Sequence, residues 1–128
     1  MKANELMIGD WVLYDNQPHQ IRQLGIFGEN RDGEDYPAVC VGKPNGIGLI
    51  LERNEIKPIP LTPEILEKNG FYYDEDRKAY LMGVIFRVKP ERYGLFSFEI
   101  CGCPYPLNTV HELQHALRLC GIEKEIVL

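Results

Sequence analysis

Residues 111–115 read His-Glu-Leu-Gln-His. Two histidines four apart lie one helical turn from each other, so both imidazoles can reach one ion. A glutamate next to the first histidine is placed to deprotonate a metal-bound water. His111 and His115 as ligands with Glu112 as base would make a zinc-dependent hydrolase.

Three features of the same stretch favour an ordinary helix. A third protein ligand is missing from its expected place, because Ala116-Leu117-Arg118-Leu119-Cys120 follows His115. Glu123, Glu125 and Cys120 are substitutes without a known spacing. Thr109-Val110-His111-Glu112 also fits a capping box, with Thr109 as N-cap and Glu112 reaching back to the N-cap amide. Finally, Val110, Leu113, Ala116, Leu117 and Cys120 share one stripe at helical spacing. That phase puts Leu113 and Leu117 in a core and turns His111 and His115 toward solvent or a partner. The structural reading of Thr109, Glu112, Leu113 and Leu117 is preferred, and no cofactor or metal is expected. The hydrolase reading stays open as the alternative.

The elements that would carry this helix form the second half of the chain. Thr62-Pro63-Glu64 is a helix start, with an N-cap threonine, proline at the first helical position and an acid at the positive end of the dipole. Asn69-Gly70 ends that helix. Ala79 to Val88 alternates, with Tyr80, Met82, Val84, Phe86 and Val88 on one face, and Leu95 to Ile100 alternates again. With Phe71–Tyr73 before a charged turn as the first of three strands, a helix from Val110 to Cys120 completes an α-β-β-β-α order, and Glu125–Leu128 is expected to add a last strand. This predicts an antiparallel sheet with two helices on one face over residues 61–128.

The first half reads as short strands between turns: Leu6–Tyr14, His19–Ile26, Ala38–Val41, Ile47–Leu51 and a proline-bearing edge strand at Ile56–Leu61. Such spacing predicts a small SH3-like β-barrel over residues 1–60, and an α+β chain overall. On the barrel, Trp11 is expected to be buried or to floor a shallow groove. Trp11, Tyr14 and Phe27 are candidates for an aromatic binding patch.

Composition narrows the function classes. The chain has 128 residues, 45% hydrophobic and 26% charged, which suits folded globular structure. A net charge of -5 and scattered Lys and Arg argue against nucleic acid as a partner. No apolar signal core or membrane-length apolar run is present, so a cytoplasmic chain with no membrane partner is expected. In that compartment Cys40, Cys101, Cys103 and Cys120 are read as thiols rather than bridges. A metal site of Cys101, Cys103 and Cys120 is a weaker alternative. Gly42–Gly48 lacks the order of a phosphate loop, and Asp74, Glu75 and Asp76 read as a solvated turn. Tyr72, Tyr73, Tyr80, Phe96 and Phe98 at strand spacing read as core rather than a binding face.

Leu61–Phe71, Val110-His111-Glu112-Leu113-Gln114 with an apolar strand before it, and the opening Ile8-Gly9-Asp10-Trp11-Val12 carry a resemblance. Most of the chain resembles a group of short uncharacterised proteins of gut Bacteroidetes and their phages and prophages. In that group the helix motif looks like His-x-Leu-Gln. The resemblance implies structural roles for His111, Leu113 and Gln114, and incidental ones for Glu112 and His115. No activity comes with it. The expectation is therefore a non-enzymatic binding or adaptor protein, associated with a phage or mobile element, whose partner is a protein.

Overall fold

The computed structural model describes residues 6–29, 35–42, 49–52, 56–83, 86–100 and 103–128. The chain is α+β and divides into two compact units, Met1–Ile59 and Pro60–Leu128.

The first unit holds five strands: β1 (Trp11–Tyr14), β2 (Gln17–Glu29), β3 (Asp35–Gly42), β4 (Leu49–Glu52) and β5 (Ile56–Pro58). They form one antiparallel sheet in the order β4-β3-β2-β1-β5. The β1–β2 hairpin turns on Asp15 and Asn16, at φ 51° and 59°. Two consecutive left-handed residues give a turn whose twist matches that of the strands, and Asp and Asn tolerate that conformation. β2 is interrupted by register shifts between Ile21 and Gln23 and between Ile26 and Glu29. These bulges account for its irregular alternation in the sequence. Among the described residues no β4–β5 pairing closes the sheet into a barrel. Proline-bearing β5 lies at an edge, as its chemistry requires.

The second unit begins with α1 (Pro63–Lys68). Thr62 caps it, its hydroxyl accepting from the Ile65 N–H at 3.3 Å. A five-stranded meander follows: β6 (Tyr72–Asp74), β7 (Ala79–Met82), β8 (Phe86–Pro90), β9 (Phe96–Ile100) and β10 (Cys103–Pro106), paired in the order β10-β9-β8-β7-β6. Helix α2 (Val110–Leu119) comes last. The sequence predicted three strands between the helices, and the structure has five. The expected single strand Ala79–Val88 is a hairpin arm and its return, with Gly83 at φ +62° beside β7. The apolar run continues through that turn, so periodicity alone hides it.

Register aligns one row of side chains across all five strands. Tyr73 faces Tyr80, Tyr80 faces Val88, Val88 faces Phe98, and Phe98 faces Tyr105. Tyr80, Val88 and Phe98 in its middle are buried, as are Phe71, Phe86 and Phe96. Ring contacts tie them together: Phe86 stacks on Phe98 at 5.8 Å, Phe71 meets Phe86 edge-on at 6.0 Å, and Tyr80 meets Phe96 edge-on at 6.4 Å. Arg87 and Lys89 alternate with Phe86 and Val88 on β8 and are exposed.

The predicted strand at Glu125–Leu128 does not form. That segment is held by a side chain instead. Buried Asn69, the C-cap of α1, donates its amide to the carbonyls of Ile65 and Val127, both at 2.8 Å. Its own carbonyl accepts from the Val127 N–H at 2.8 Å. Lys68 donates to the Leu128 carbonyl. Ile126, next to the clamped residue, is buried.

Asn69→Ala should lower the stability of the chain by about 1–3 kcal/mol, through loss of these bonds. Asn69→Asp should cost more, because it sets a carboxylate against two carbonyls. Urea melts of the two variants check the order, and an Asp variant as stable as the parent sinks the clamp. Tyr80 gives a pH signature. Burial pushes its hydroxyl above the usual tyrosine value, and Glu67, Tyr73 and Glu64 add to the effect. The folded chain thus holds this proton where the unfolded chain releases it. The resulting stability is present below a pH of about 10 and is lost as pH rises through the folded value. Tyrosine absorbance during alkaline titration should show a late component that Tyr80→Phe removes.

Candidate functional site

The residues around the His-Glu-x-x-His stretch are set by the start of α2. Thr109 has extended backbone, φ −130°, and its hydroxyl accepts from the Glu112 N–H at 3.3 Å. The same hydroxyl donates to Glu112 Oε1 at 2.9 Å and lies 3.2 Å from His111 Nδ1. A hydroxyl has one proton and two lone pairs. With the proton on the carboxylate and one lone pair on the Glu112 amide, the second lone pair must accept from His111. This places a proton on Nδ1 of His111. Glu112 is therefore turned back to the helix start, as a capping residue should be. Its oxygen accepts from the Thr109 hydroxyl, where the sequence reading put the Thr109 amide.

The helix buries more of itself than the apolar stripe predicts. Val110, His111, Leu113, Gln114, Ala116 and Leu117 are all buried. At about 100° per residue these six span roughly 220° of the circumference. His111, expected to face solvent, is 6% exposed. His115, beyond that arc, is half-buried. Cys120, expected on the buried stripe, is exposed, because it follows the last helical turn where cover ends.

The two imidazoles come within reach of each other, with centroids 5.7 Å apart and planes at 69°. Two ligand rings on one tetrahedral zinc lie roughly 5 Å apart, so the spacing is near that of a shared ion. Three protein ligands are needed for a catalytic site. Among the described residues no group of three or more His, Cys, Asp or Glu side chains converges. Cys103 and Cys120 are exposed free thiols, and Cys101 lies outside the described residues.

Of the aromatic candidates of the first unit, Trp11 and Tyr14 do not share a face. Strand alternation sends Trp11 and Tyr14 to opposite faces of β1. Trp11 is half-buried and Val12 beside it is fully buried. Tyr14, also half-buried, leans on His19 with ring centroids 6.0 Å apart. Phe27 lies in β2, and its side chain is outside the described residues.

The exposed tyrosines are elsewhere, at the two opposite edges of the second sheet and in one turn. Tyr72 and Tyr73 on β6, Tyr105 on β10 and Tyr93 in the turn between β8 and β9 are all exposed. The core reading thus holds for Tyr80, Phe96 and Phe98, and fails for Tyr72 and Tyr73, which lie on an edge strand. Tyr93, which the candidate residues of the sequence do not include, is marked there only by the glycine that follows it. No protein-family profile, curated protein or solved structure matches the chain.

Protein purified without a histidine tag should carry far less than one zinc per chain by elemental analysis, and chelator should leave its melt unchanged. His115→Ala should be neutral within about 0.5 kcal/mol. Thr109→Ala and Glu112→Ala should each cost about 0.5–2 kcal/mol through the cap. Leu113→Ala and Leu117→Ala should cost about 2–5 kcal/mol as core truncations. One zinc per chain, abolished by His115→Ala, would overturn this assignment.

Proposed function

We propose that this chain is a non-enzymatic binding or adaptor module whose partner is a protein. One observation carries the reading: of the five tyrosines in the second unit, four are exposed, from 46% at Tyr73 to 96% at Tyr93. Tyrosine offers large, rigid contact area at small entropic cost, and it is enriched where proteins dock. Tyr73 and Tyr105 end a row whose middle is core, so their backbones are set before any partner arrives.

The architecture supports this use. The order β4-β3-β2-β1-β5 fits a small SH3-like barrel for the first unit. Both helices of the second are read as covering the aromatic face. Glu64 and Glu67 of α1 act on Tyr80 of that face, and α2 buries Leu113 and Leu117. No helix among the described residues is long and apolar enough to cross a membrane. A cytoplasmic adaptor of a phage or other mobile element is the setting that the resemblance of the sequence suggests.

A zinc-dependent hydrolase using His111, Glu112 and His115 is the second reading. It is favoured by the 5.7 Å spacing of the two rings.

Tagged full-length chain, cross-linked in its host, should retain one protein in near-stoichiometric yield. The triple variant Tyr72→Ser, Tyr73→Ser, Tyr105→Ser should lose roughly tenfold or more of that partner, with a melt lowered by the lost ring contacts of Tyr73 to Tyr80 and Tyr105 to Phe98 but still cooperative. The proposal is wrong if both forms retain the same set, or if zinc-loaded chain hydrolyses peptides in a His111- and His115-dependent way.

A further inference from the structure

The turn between β8 and β9 presents an aromatic side chain at a conformational cost. Tyr93 sits at φ 61°, ψ 31°, in the left-handed region, and is followed by Gly94 at φ 72°. A bulky non-glycine residue is rarely found there, because its Cβ crowds the carbonyl. Asparagine or glycine would fit the turn with less strain. The ring returns nothing to folding, since Tyr93 is the most exposed large hydrophobic residue among those described. Leu95, two residues on, is also exposed.

The turn is nevertheless firmly braced. The Glu91 N–H donates to the Leu95 carbonyl at 2.8 Å, and the Leu95 N–H to the Arg92 carbonyl at 3.3 Å. The Ser97 hydroxyl donates to Glu91 Oε1 at 2.8 Å. Beyond the turn, the Phe96 N–H donates to Asn108 Oδ1 at 3.1 Å, and the Leu107 N–H to the Phe96 carbonyl at 2.9 Å. A strained, exposed ring on a rigid mount is the form of a pre-organised anchor.

Charge indicates what such an anchor meets. Residues 87–95 hold three cations, Arg87, Lys89 and Arg92, against one carboxylate, Glu91, which Ser97 engages; exposed Glu99 of β9 is next in register to Arg87, which leaves Lys89 and Arg92 as the excess charge at the turn. All three cations are exposed. This is a basic end on a chain of net charge -5. The overall negative charge disfavours a nucleic-acid strand, whereas a local acidic rim is complementary to it.

We propose that Tyr93 is the anchor residue of the interaction surface, seated in an apolar pocket of a protein partner whose rim carries Asp or Glu opposite Lys89 and Arg92. This rests on the binding-module reading above.

The test uses full-length chain in its host with the photocross-linker p-benzoylphenylalanine at position 93, and in parallel at positions 72 and 105. Position 93 should link to one protein, in a segment where carboxylates flank apolar residues. With that purified protein, Tyr93→Asn should weaken binding by roughly 30-fold or more. The same substitution should raise the melting temperature of the free chain by roughly 4 °C, because it relieves the left-handed strain. Lys89→Glu with Arg92→Glu should slow association, most at low salt. Unchanged binding by Tyr93→Asn, a lowered melting temperature, or links from position 93 to RNA or to a second copy of the chain would overturn the anchor. Links from 72 and 105 without any from 93 would leave the binding module standing and remove Tyr93 from it. No links from any of the three positions would remove both.

Discussion

Each unit has some sixty to seventy residues with which to bury apolar surface, and that constraint governs most of what is seen. A domain of this size buries only about 60% of the surface its unfolded chain exposes. The second unit responds with large side chains in one layer: Phe71, Tyr80, Phe86, Phe96 and Phe98 are all buried. Aromatic rings bury more area per residue than any other side chain, and the edge-on and stacked contacts seen here add to it. A meander keeps these contacts local in sequence. The same pressure draws His111 and Gln114 of α2 below the surface.

That burial changes what the five letters at 111–115 mean. One hydroxyl, on Thr109, serves a backbone amide, a carboxylate and an imidazole at once. It engages the side chain that a peptidase would use as base and orients the first of its two potential ligands. Motif spacing is a statement about reach along a helix. What the reached atoms are bonded to depends on the residue in front of the helix, and here that residue is a cap.

Local signals were legible in the sequence wherever a partner lies within one turn. Thr62, Pro63 and Asn69-Gly70 bound α1 as capping chemistry predicts, and Thr109 starts α2. The edge position of Ile56–Pro58 followed from its proline. Features set at a distance were hidden. Gly83 breaks an unbroken apolar alternation because its backbone turns left-handed, which no side-chain pattern records. Glu125–Leu128 has strand-like composition, but its partner is an amide 58 residues away. The apolar stripe alone turns His111 to solvent, while burial on α2 extends past that stripe to include His111 and Gln114. Trp11 and Tyr14 are candidates for one aromatic patch by residue type, whereas strand alternation separates them by face.

The clamp on the C-terminal segment has a chemical side. Asn69 precedes Gly70, the pairing most prone to spontaneous deamidation, in which the glycine nitrogen attacks the asparagine side-chain carbonyl carbon. In the folded chain the Gly70 N–H is engaged by the Glu67 carbonyl, and the Asn69 amide is buried and bonded on both sides. Neither reactant is free to turn toward the other. The fold thus slows the ageing of its own fastening, and each excursion to the unfolded state restarts that clock. A chain that deamidates there returns with a carboxylate or a lengthened backbone where the amide belonged, so the fold that needs this amide is also what shields it.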